Sequence, residues 1–244
     1  MGAPWAAIRF LSRLPVPGSK RMQASDIEVS ATWAPAVGLL IGLVLAIVQF
    51  AMARLDPWLS AYCTLLVWLW ITGAMHVDGA ADLADALGAL HRDPDRFLTV
   101  LRDPRLGTFG VLAVICIVLA KLLALHALAT DTRLSATLIL IPAWARLGAL
   151  FWASRLPPLS DGSGRLFRAG VRGATLLAWF VSLTAASVML APLVIMTPLL
   201  LIGWAAFLKW RIRGMNGDAL GAGIESCEAG ALLLIAIAAA WPGI

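Results

Sequence analysis

Three aspartates in one short segment are spaced so that they can act together. Asp78, Asp82 and Asp85 stand at positions i, i+4 and i+7. On an α-helix these positions fall within about 60° of one another, so the three carboxylates share one face. Like charges at this spacing destabilise a helix, and a bound cation would neutralise them. Because oxygen ligands favour hard ions, we predict that all three bind Mg²⁺ or Mn²⁺, with Mg²⁺ the expected cofactor.

His76 and Gly79 belong to the same cluster. The lack of a side chain at Gly79 lets a ligand or another helix approach closely, and we count it among the candidate substrate-binding residues. An acid that is not fully engaged by a metal can accept the proton of an alcohol, so the candidate catalytic residues are Asp82, Asp85 and His76. The alternatives are a solvated acidic helix for the aspartates and an interfacial polar residue for His76.

A second cluster opens the last apolar segment. Asp218 and Glu225 are seven residues apart and share a helix face, and we predict that both join the metal ligands of the first cluster. Gly217 and Gly221 form a small-xxx-small surface suited to close helix packing. An ionised carboxylate inside a bilayer is costly and is usually functional. The alternative for Glu225 is a protonated acid hydrogen-bonded across helices.

Cationic residues lie where they could hold phosphates. Arg102 and Arg105 precede a helix that begins near Thr108, and a helix N-terminus capped by Thr108 would add backbone donors for an anion. Lys121 and Arg146 lie deeper, within apolar segments. Lys121 is roughly 20 Å along its helix from Thr108, so it reaches the same phosphates only if the helix tilts or the site is sunk. The alternatives are ordinary cytoplasmic charge and snorkelling of long side chains.

Together these groups suit one class of chemistry. Metal-binding carboxylates opposite phosphate-binding cations are what phosphoryl or nucleotidyl-alcohol transfer requires. In such a reaction the metal neutralises a diphosphate, and an alcohol displaces a nucleoside monophosphate.

Composition sets the fold class. The chain has 244 residues, of which 61% are hydrophobic and 14% charged, and apolar runs recur along its length. We predict an all-α polytopic membrane helix bundle that forms one domain over residues 1–244. A short amphipathic helix is expected within residues 3–14, and the isolated cysteines are expected to pack in the core. The predicted spans are 33–53, 58–75, 108–129, 134–153, 174–191, 193–208 and 219–240.

The basic residues orient these spans. With the N-terminus inside, fifteen Lys and Arg residues fall in inside segments, and only Arg54 and Arg133 fall outside. We therefore expect a bacterial-type cytoplasmic (inner) membrane protein with its N-terminus and site loops in the cytoplasm and its C-terminus outside. Membrane lipid is an expected partner. The net charge of +5 follows from topology and needs no nucleic acid.

The chain resembles the cobalamin synthase family, the adenosylcobinamide-GDP ribazoletransferases. Five stretches carry the resemblance in order, and the most specific is His-Val-Asp-Gly-Ala-Ala-Asp-Leu-Ala-Asp at 76–85. Two positions depart from the pattern: Ala86 stands where Gly is expected and Pro104 where Ser is more usual. The five stretches are 10–17, 35–42, 76–85, 102–110 followed by Lys121, and 216–225.

The resemblance implies a specific reaction. Adenosylcobinamide-GDP and α-ribazole, or its 5′-phosphate, would join with Mg²⁺ to give adenosylcobalamin or its phosphate and GMP. The sequence leaves open the oligomeric state, a homo-oligomer included, and the number of metal ions.

Three other readings compete with this one. A CDP-alcohol phosphotransferase of phospholipid synthesis also uses Asp-Gly with further aspartates, but its Ala-Arg after Asp-Gly and its longer Gly-x3-Asp-x3-Asp tail are absent here. A transporter would use Lys121, Arg146 and Glu225 as coupling groups, but the chain shows no internal repeat. A purely structural membrane subunit fits the composition but not the charged groups.

Overall fold

The computed structural model describes residues 2–17, 22–90, 97–101, 103 and 105–240. Over these residues the chain is mostly helical. It contains one isolated β-bridge, between Pro158 and Met215, and no β-sheet is present in this described part. The α-helices are α1 Ala3–Leu11, α2 Ala24–Ala53, α3 Pro57–Thr72, α4 Met75–Leu90, α5 Phe97–Val100, α6 Thr108–Thr130, α7 Thr137–Arg155, α8 Ser163–Ala169, α9 Gly173–Leu190, α10 Thr197–Arg211 and α11 Gly217–Ala240.

The prediction of an all-α, multi-pass membrane protein is confirmed. In the described part of the chain, six helices are long and apolar enough to cross a membrane, and α3 with α4 passes the same test only as a bent pair. Large apolar side chains remain exposed on the outer helices, among them Leu177 at 62% and Leu199 at 65%. Such a surface suits contact with lipid.

Helix α2 packs closely on α7, the most buried of the six apolar helices in the described part of the chain. Gly38 and Gly42 of α2 face the backbone of α7, and a Cβ added at Gly42 would lie 2.3 Å from the carbonyl oxygen of Leu138. Small residues therefore allow the two helices to pack backbone to backbone. The predicted N-terminal helix is present as α1, which packs on α2.

The predicted second span, 58–75, ends earlier than the apolar pattern indicated. Helix α3 stops at Thr72, where Gly73 (φ 63°) and Ala74 (φ 54°) take left-handed backbone conformations. The N–H groups of Gly73 and Ala74 donate to the last carbonyls of α3, which closes its C-terminus. Helix α4 then leaves at an angle of 84°. We treat α3 as the membrane-crossing part and α4 as lying outside the span.

The predicted sixth span, 193–208, also differs in detail. Residues Pro192–Met196 form a 3₁₀ turn, and α10 follows from Thr197. Pro198 lies in the first turn of α10, where no intrahelical N–H is needed. A proline at this position does not interrupt the helix.

The bend after α3 places α4 against two other helices. Helix α4 packs on both α6 and α11, and α11 also touches α8. Because α6 and α11 both begin beside α4, the N-terminal turns of these helices meet at one end of the bundle.

Candidate functional site

Close helix packing brings the second cluster to the first. A Cβ added at Gly79 of α4 would lie 3.0 Å from the Cα of Asp218 on α11. One turn further along α11, a Cβ at Gly221 would lie 3.3 Å from the Cα of His76. Of the two uses predicted for Gly79, the structure therefore shows approach by another helix. The prediction that Asp218 lies close to the α4 acids is confirmed.

Asp82 is surrounded by other carboxylates. The pKa of Asp82 is raised from 3.8 to about 6, most strongly by its partial burial and then, in decreasing order, by the charges of Asp78, Asp218 and Asp85. Asp78 is exposed to solvent, whereas Asp82 and Asp218 are half-buried. The site thus concentrates negative charge at the start of α11.

Asn216 fixes Asp218 from the adjoining turn. Its side-chain amide donates to Oδ2 of Asp218 at 2.7 Å, and its Oδ1 accepts from the backbone N–H of Ala219 at 2.9 Å. Asn216 therefore both caps α11 and orients one carboxylate. The sequence analysis gave Asn216 no role, although an Asn just before a predicted helix is a recognised capping signal.

Asp85 has different neighbours from Asp82. Its Oδ2 accepts the backbone N–H of Gly107 at 2.7 Å, and its Oδ1 accepts that of Gly110 at 2.8 Å. A Cβ at Gly107 or Gly110 would lie within 2.5 Å of this carboxylate, so a residue with a side chain at either position would clash with Asp85. These contacts favour an anchoring role over the predicted metal-ligand and catalytic roles.

The loop before α6 also departs from expectation. Gly107 is the N-cap of α6, so the prediction that Thr108 caps this helix is wrong. Because Asp85 takes N–H groups at this terminus, they do not point freely at a phosphate, and Thr108 itself is exposed. Two of the expected phosphate donors at the α6 N-terminus, the N–H groups of Gly107 and Gly110, are therefore already used by the protein.

Arg105 is the exposed cation of this loop. Its guanidinium pairs with Asp103 through Nε at 3.0 Å and Nη2 at 2.7 Å, and its side chain is 87% exposed. The hydrogen bonds from Arg105 lower the pKa of Asp103 to about 2. Arg105 can therefore reach a ligand from solvent, and its binding to a diphosphate stays a prediction. Arg102 lies outside the described residues.

A buried ion cluster forms deeper in the bundle. Lys121 Nζ lies 2.6 Å from Glu225 and 2.7 Å from Glu228, and Arg146 Nη1 lies 2.9 Å from Glu228. All four side chains are at most 2% exposed. Two cations and two carboxylates therefore neutralise one another, as a buried ionic group requires.

These contacts correct three predictions. Glu225 pairs with Lys121 and lies about 10 Å along α11 from Asp218, so it is not a ligand in the same metal group. Lys121 and Arg146 are enclosed and engaged with carboxylates, so they are not placed to hold a diphosphate. Helix spacing alone could not reveal the pairing, because the four residues come from α6, α7 and α11.

His76 is buried in the first turn of α4, just before Asp78. Burial, followed by the charges of Arg146 and Lys121, holds the pKa of His76 well below its ordinary value, so its imidazole is neutral. Its Nδ1 has no hydrogen-bond partner in the described part of the chain. A catalytic role for His76 stays a prediction.

Comparison with known protein families shows to which family this chain belongs. A family described as cobalamin-5-phosphate synthase matches residues 3–236. The chain belongs to the cobalamin-5-phosphate synthase family. The cobalamin synthase resemblance is thereby confirmed over nearly the whole chain.

Curated relatives of this family carry one name. The adenosylcobinamide-GDP ribazoletransferase of Laribacter hongkongensis is 45% identical over 239 residues, covering 97% of both chains. The proteins of the same name from Thiobacillus denitrificans and Novosphingobium aromaticivorans are each 42% identical, covering 96% of this chain and 94% and 96% of their own. No solved structure matches the chain.

The aspartates near the start of α11 have the ligand chemistry that Mg²⁺ requires. Asp78, Asp82 and Asp218 supply only oxygen ligands, and their mutual repulsion is what a divalent cation relieves. Among the described residues, no three His, Cys, Asp or Glu side chains already converge as a metal site. Binding therefore requires rotation of aspartate side chains, which the solvent exposure of Asp78 allows. With that rotation, the donor set fits Mg²⁺.

Proposed function

We propose that this protein is a Mg²⁺-dependent adenosylcobinamide-GDP ribazoletransferase that acts in cobalamin biosynthesis. Its relatives of that name match almost end to end, which supports the substrates and the reaction class. The observation that carries the proposal is the proximity of Asp218 on α11 to Asp78 and Asp82 on α4. Carboxylates and a diphosphate repel each other, so these aspartates can bind a diphosphate substrate only through a cation that lies between them.

Asp78, Asp82 and Asp218 are the residues proposed to hold Mg²⁺, with Asn216 orienting Asp218. When bound, the ion supplies charge neutralisation at the diphosphate. A ribose hydroxyl of α-ribazole, or of its 5′-phosphate, forms a new bond to the phosphorus that carries the cobinamide. The bond from that phosphorus to the oxygen of GMP breaks, and GMP leaves.

Asp82 is the better candidate to accept the proton of that hydroxyl. A general base works best when its pKa lies near the working pH, and in the metal-free protein the pKa of Asp82 is raised from 3.8 to about 6. Asp85 is less suitable because both of its oxygens already accept backbone hydrogen bonds. Asp85 instead links α4 to the loop before α6, and so fixes that loop relative to the acidic group.

Arg102 and Arg105 are proposed to contact the diphosphate from this loop. The fork of Arg105 matches a phosphate or carboxylate in two-point geometry, and it now holds Asp103 in that way. A phosphate that displaces Asp103 would keep the same donor pattern. Release of the exposed Asp103 carboxylate to water costs little.

The protein is further proposed to lie in the cytoplasmic (inner) membrane with the acidic site facing the cytoplasm. The excess of basic residues at the end of the bundle that holds α4, α8 and the start of α11 supports this orientation. Single cysteines placed at Arg165 and at Leu55 would test it in a variant without the three natural cysteines. In right-side-out vesicles, an impermeant maleimide should label position 55 and not position 165.

The activity is tested with the purified protein in detergent. Adenosylcobinamide-GDP and α-ribazole 5′-phosphate should yield GMP and one corrinoid product in equal amounts, and EDTA should stop the reaction until Mg²⁺ is restored. Asp82→Asn serves as the inactive control. Absence of GMP from a well-folded preparation with both substrates and Mg²⁺ would refute the proposal. Turnover with CDP-activated lipids in place of the corrinoid would favour the phospholipid alternative.

A further inference from the structure

A cavity of about 180 Å³ is lined by Asp218 and by the first residues of α4, and the α4 aspartates are not among its lining residues. Helices α1, α4, α7, α8 and α11 surround it. Its lining residues are Phe10, Leu11, Met75, His76, Ala149, Ser163, Gly164, Phe167, Gly217, Asp218, Leu220, Gly221 and Ile224.

The lining is mostly apolar and partly aromatic. Phe10 of α1 and Phe167 of α8 stack across one wall, with ring centroids 6.2 Å apart and an interplanar angle of 28°. Among the described residues that line the cavity, only His76, Ser163 and Asp218 have polar side chains. A ligand that fits here must therefore be largely apolar, with few groups that need hydrogen bonds.

His76 provides an independent sign of a ligand. The residue is 7% exposed and lines the cavity, and its Nδ1, which is itself enclosed, has no hydrogen-bond partner among the described residues, so the ring must turn to present this atom to a ligand. A buried polar atom without a partner is costly unless something else satisfies the group. An imidazole can exchange one hydrogen bond with a ligand that carries a single polar ring atom.

We propose that this cavity binds the aromatic base of the ribazole acceptor and places the attached ribose beside Asp218. The inference rests on the proposed function and adds where the acceptor binds. The base is a dimethylated benzimidazole, which is apolar apart from one unsubstituted ring nitrogen that can accept a hydrogen bond. It therefore matches an apolar cavity with one free imidazole.

The two other large groups of the substrates fit less well. Guanine carries several donors and acceptors, and burying them against apolar walls would leave most of them unpaired. A corrin ring, which is much larger than a methylated bicyclic base, is too large for a cavity of about 180 Å³. Since a cavity of about 150 Å³ holds a ligand the size of benzene, the base itself enters only in part. A methylated bicyclic base fits with its sugar edge protruding.

The position of Asp218 connects the cavity to the chemistry. Asp218 lines the cavity, and its backbone touches Gly79 between Asp78 and Asp82. A ribose attached to a base in the cavity would emerge next to Asp218. Its hydroxyl would then face the acidic group where the activated phosphate is proposed to bind.

The first experiment changes the methyl groups of the ribazole base, and the second changes Phe167 in the cavity lining. With the unaltered protein, removal of both methyl groups from α-ribazole 5′-phosphate should raise its KM about tenfold, since each buried methyl contributes several-fold. Phe167→Ala should raise the KM for α-ribazole 5′-phosphate about tenfold and leave that for adenosylcobinamide-GDP within twofold. Phe50→Ala, a lipid-facing change next to Arg54, is the matched control and should alter neither KM.

Direct binding separates this inference from the proposed function. The Kd for α-ribazole 5′-phosphate, measured by microscale thermophoresis, should weaken in Phe167→Ala, and Phe167→Leu should recover part of the loss. If GMP is released but neither the methyl groups nor Phe167 affect the ribazole KM or Kd, the assignment of the cavity is wrong. If no GMP is released yet ribazole phosphate binds in a Phe167-dependent way, the cavity stands and the proposed function fails.

Discussion

Asp82→Asn should stabilise the metal-free protein while it removes activity. The carboxylate of Asp82 sits among Asp78, Asp218 and Asp85, and its pKa is raised from 3.8 to about 6. A raised pKa means that the folded state holds the proton more tightly than the unfolded chain does. Ionisation of Asp82 therefore costs stability, a cost that is absent below about pH 4 and complete above about pH 6.

The size of the effect follows from that rise. A change in the pKa of Asp82 from 3.8 to about 6 corresponds to about 3 kcal/mol of unfolding free energy if the whole shift contributes to stability. Because the side chain is only partly buried, solvent screening reduces this to about 1 kcal/mol. For a chain of 244 residues, that is a rise in Tm of about 2–4 °C.

The assay is thermal unfolding in detergent with EDTA at pH 7.5 and at stepwise lower pH. Asp82→Asn should unfold at a higher temperature than the unaltered protein at pH 7.5, and the difference should shrink as the pH approaches 4. Added Mg²⁺ should stabilise the unaltered protein and leave Asp82→Asn nearly unchanged. Asp161→Asn, which removes an 86% exposed carboxylate, is the control and should change Tm by no more than about 1 °C.

Three results would refute this reasoning. A lower Tm for Asp82→Asn without metal would mean that the carboxylate stabilises the fold. An equal Mg²⁺ response in both proteins would place the ion elsewhere. Near-normal turnover of Asp82→Asn at saturating Mg²⁺ would remove Asp82 from the chemistry.

Four further changes test other parts of the structure. Gly79→Ala should push α4 from α11 and cut GMP release at least tenfold, whereas Gly203→Ala, with open space around it, should keep normal turnover. Lys121→Met leaves excess buried negative charge and should lower the free energy of unfolding by about 3–5 kcal/mol, measured by denaturation in detergent. Asp85→Asn should free the loop before α6, seen as faster proteolysis there and a higher KM for the GDP substrate. Arg105→Lys should raise that KM, with no change in the KM for the ribazole partner, because the two-point fork is lost.

Local patterns were enough to predict most of the helices. Long apolar runs predicted the spans, and the mixed segment at 3–14 predicted α1, because both signals depend on neighbouring residues alone. The end of the second span was missed. The chain remains apolar through Met75, and the two left-handed residues that end α3 leave little trace beyond one glycine.

The candidate site was predicted in part. The sequence predicted the acids of α4 and the approach of Asp218, because both motifs fall at the cytoplasmic ends of predicted spans. It did not distinguish Asp82 from Asp85. The two lie on one helix face, but about 4.5 Å apart along the axis, so one meets Asp218 and the other meets the start of α6.

The sequence by itself determined the class of molecule, the helix faces that carry charge and, through its motifs, the family. These properties follow from composition and from the helical period, which act within one segment. Only the tertiary structure decided which charges meet. Asp218 and Glu225 share a face of α11, yet one joins an acidic group and the other neutralises Lys121. Their partners come from other helices, and helix packing sets those distances.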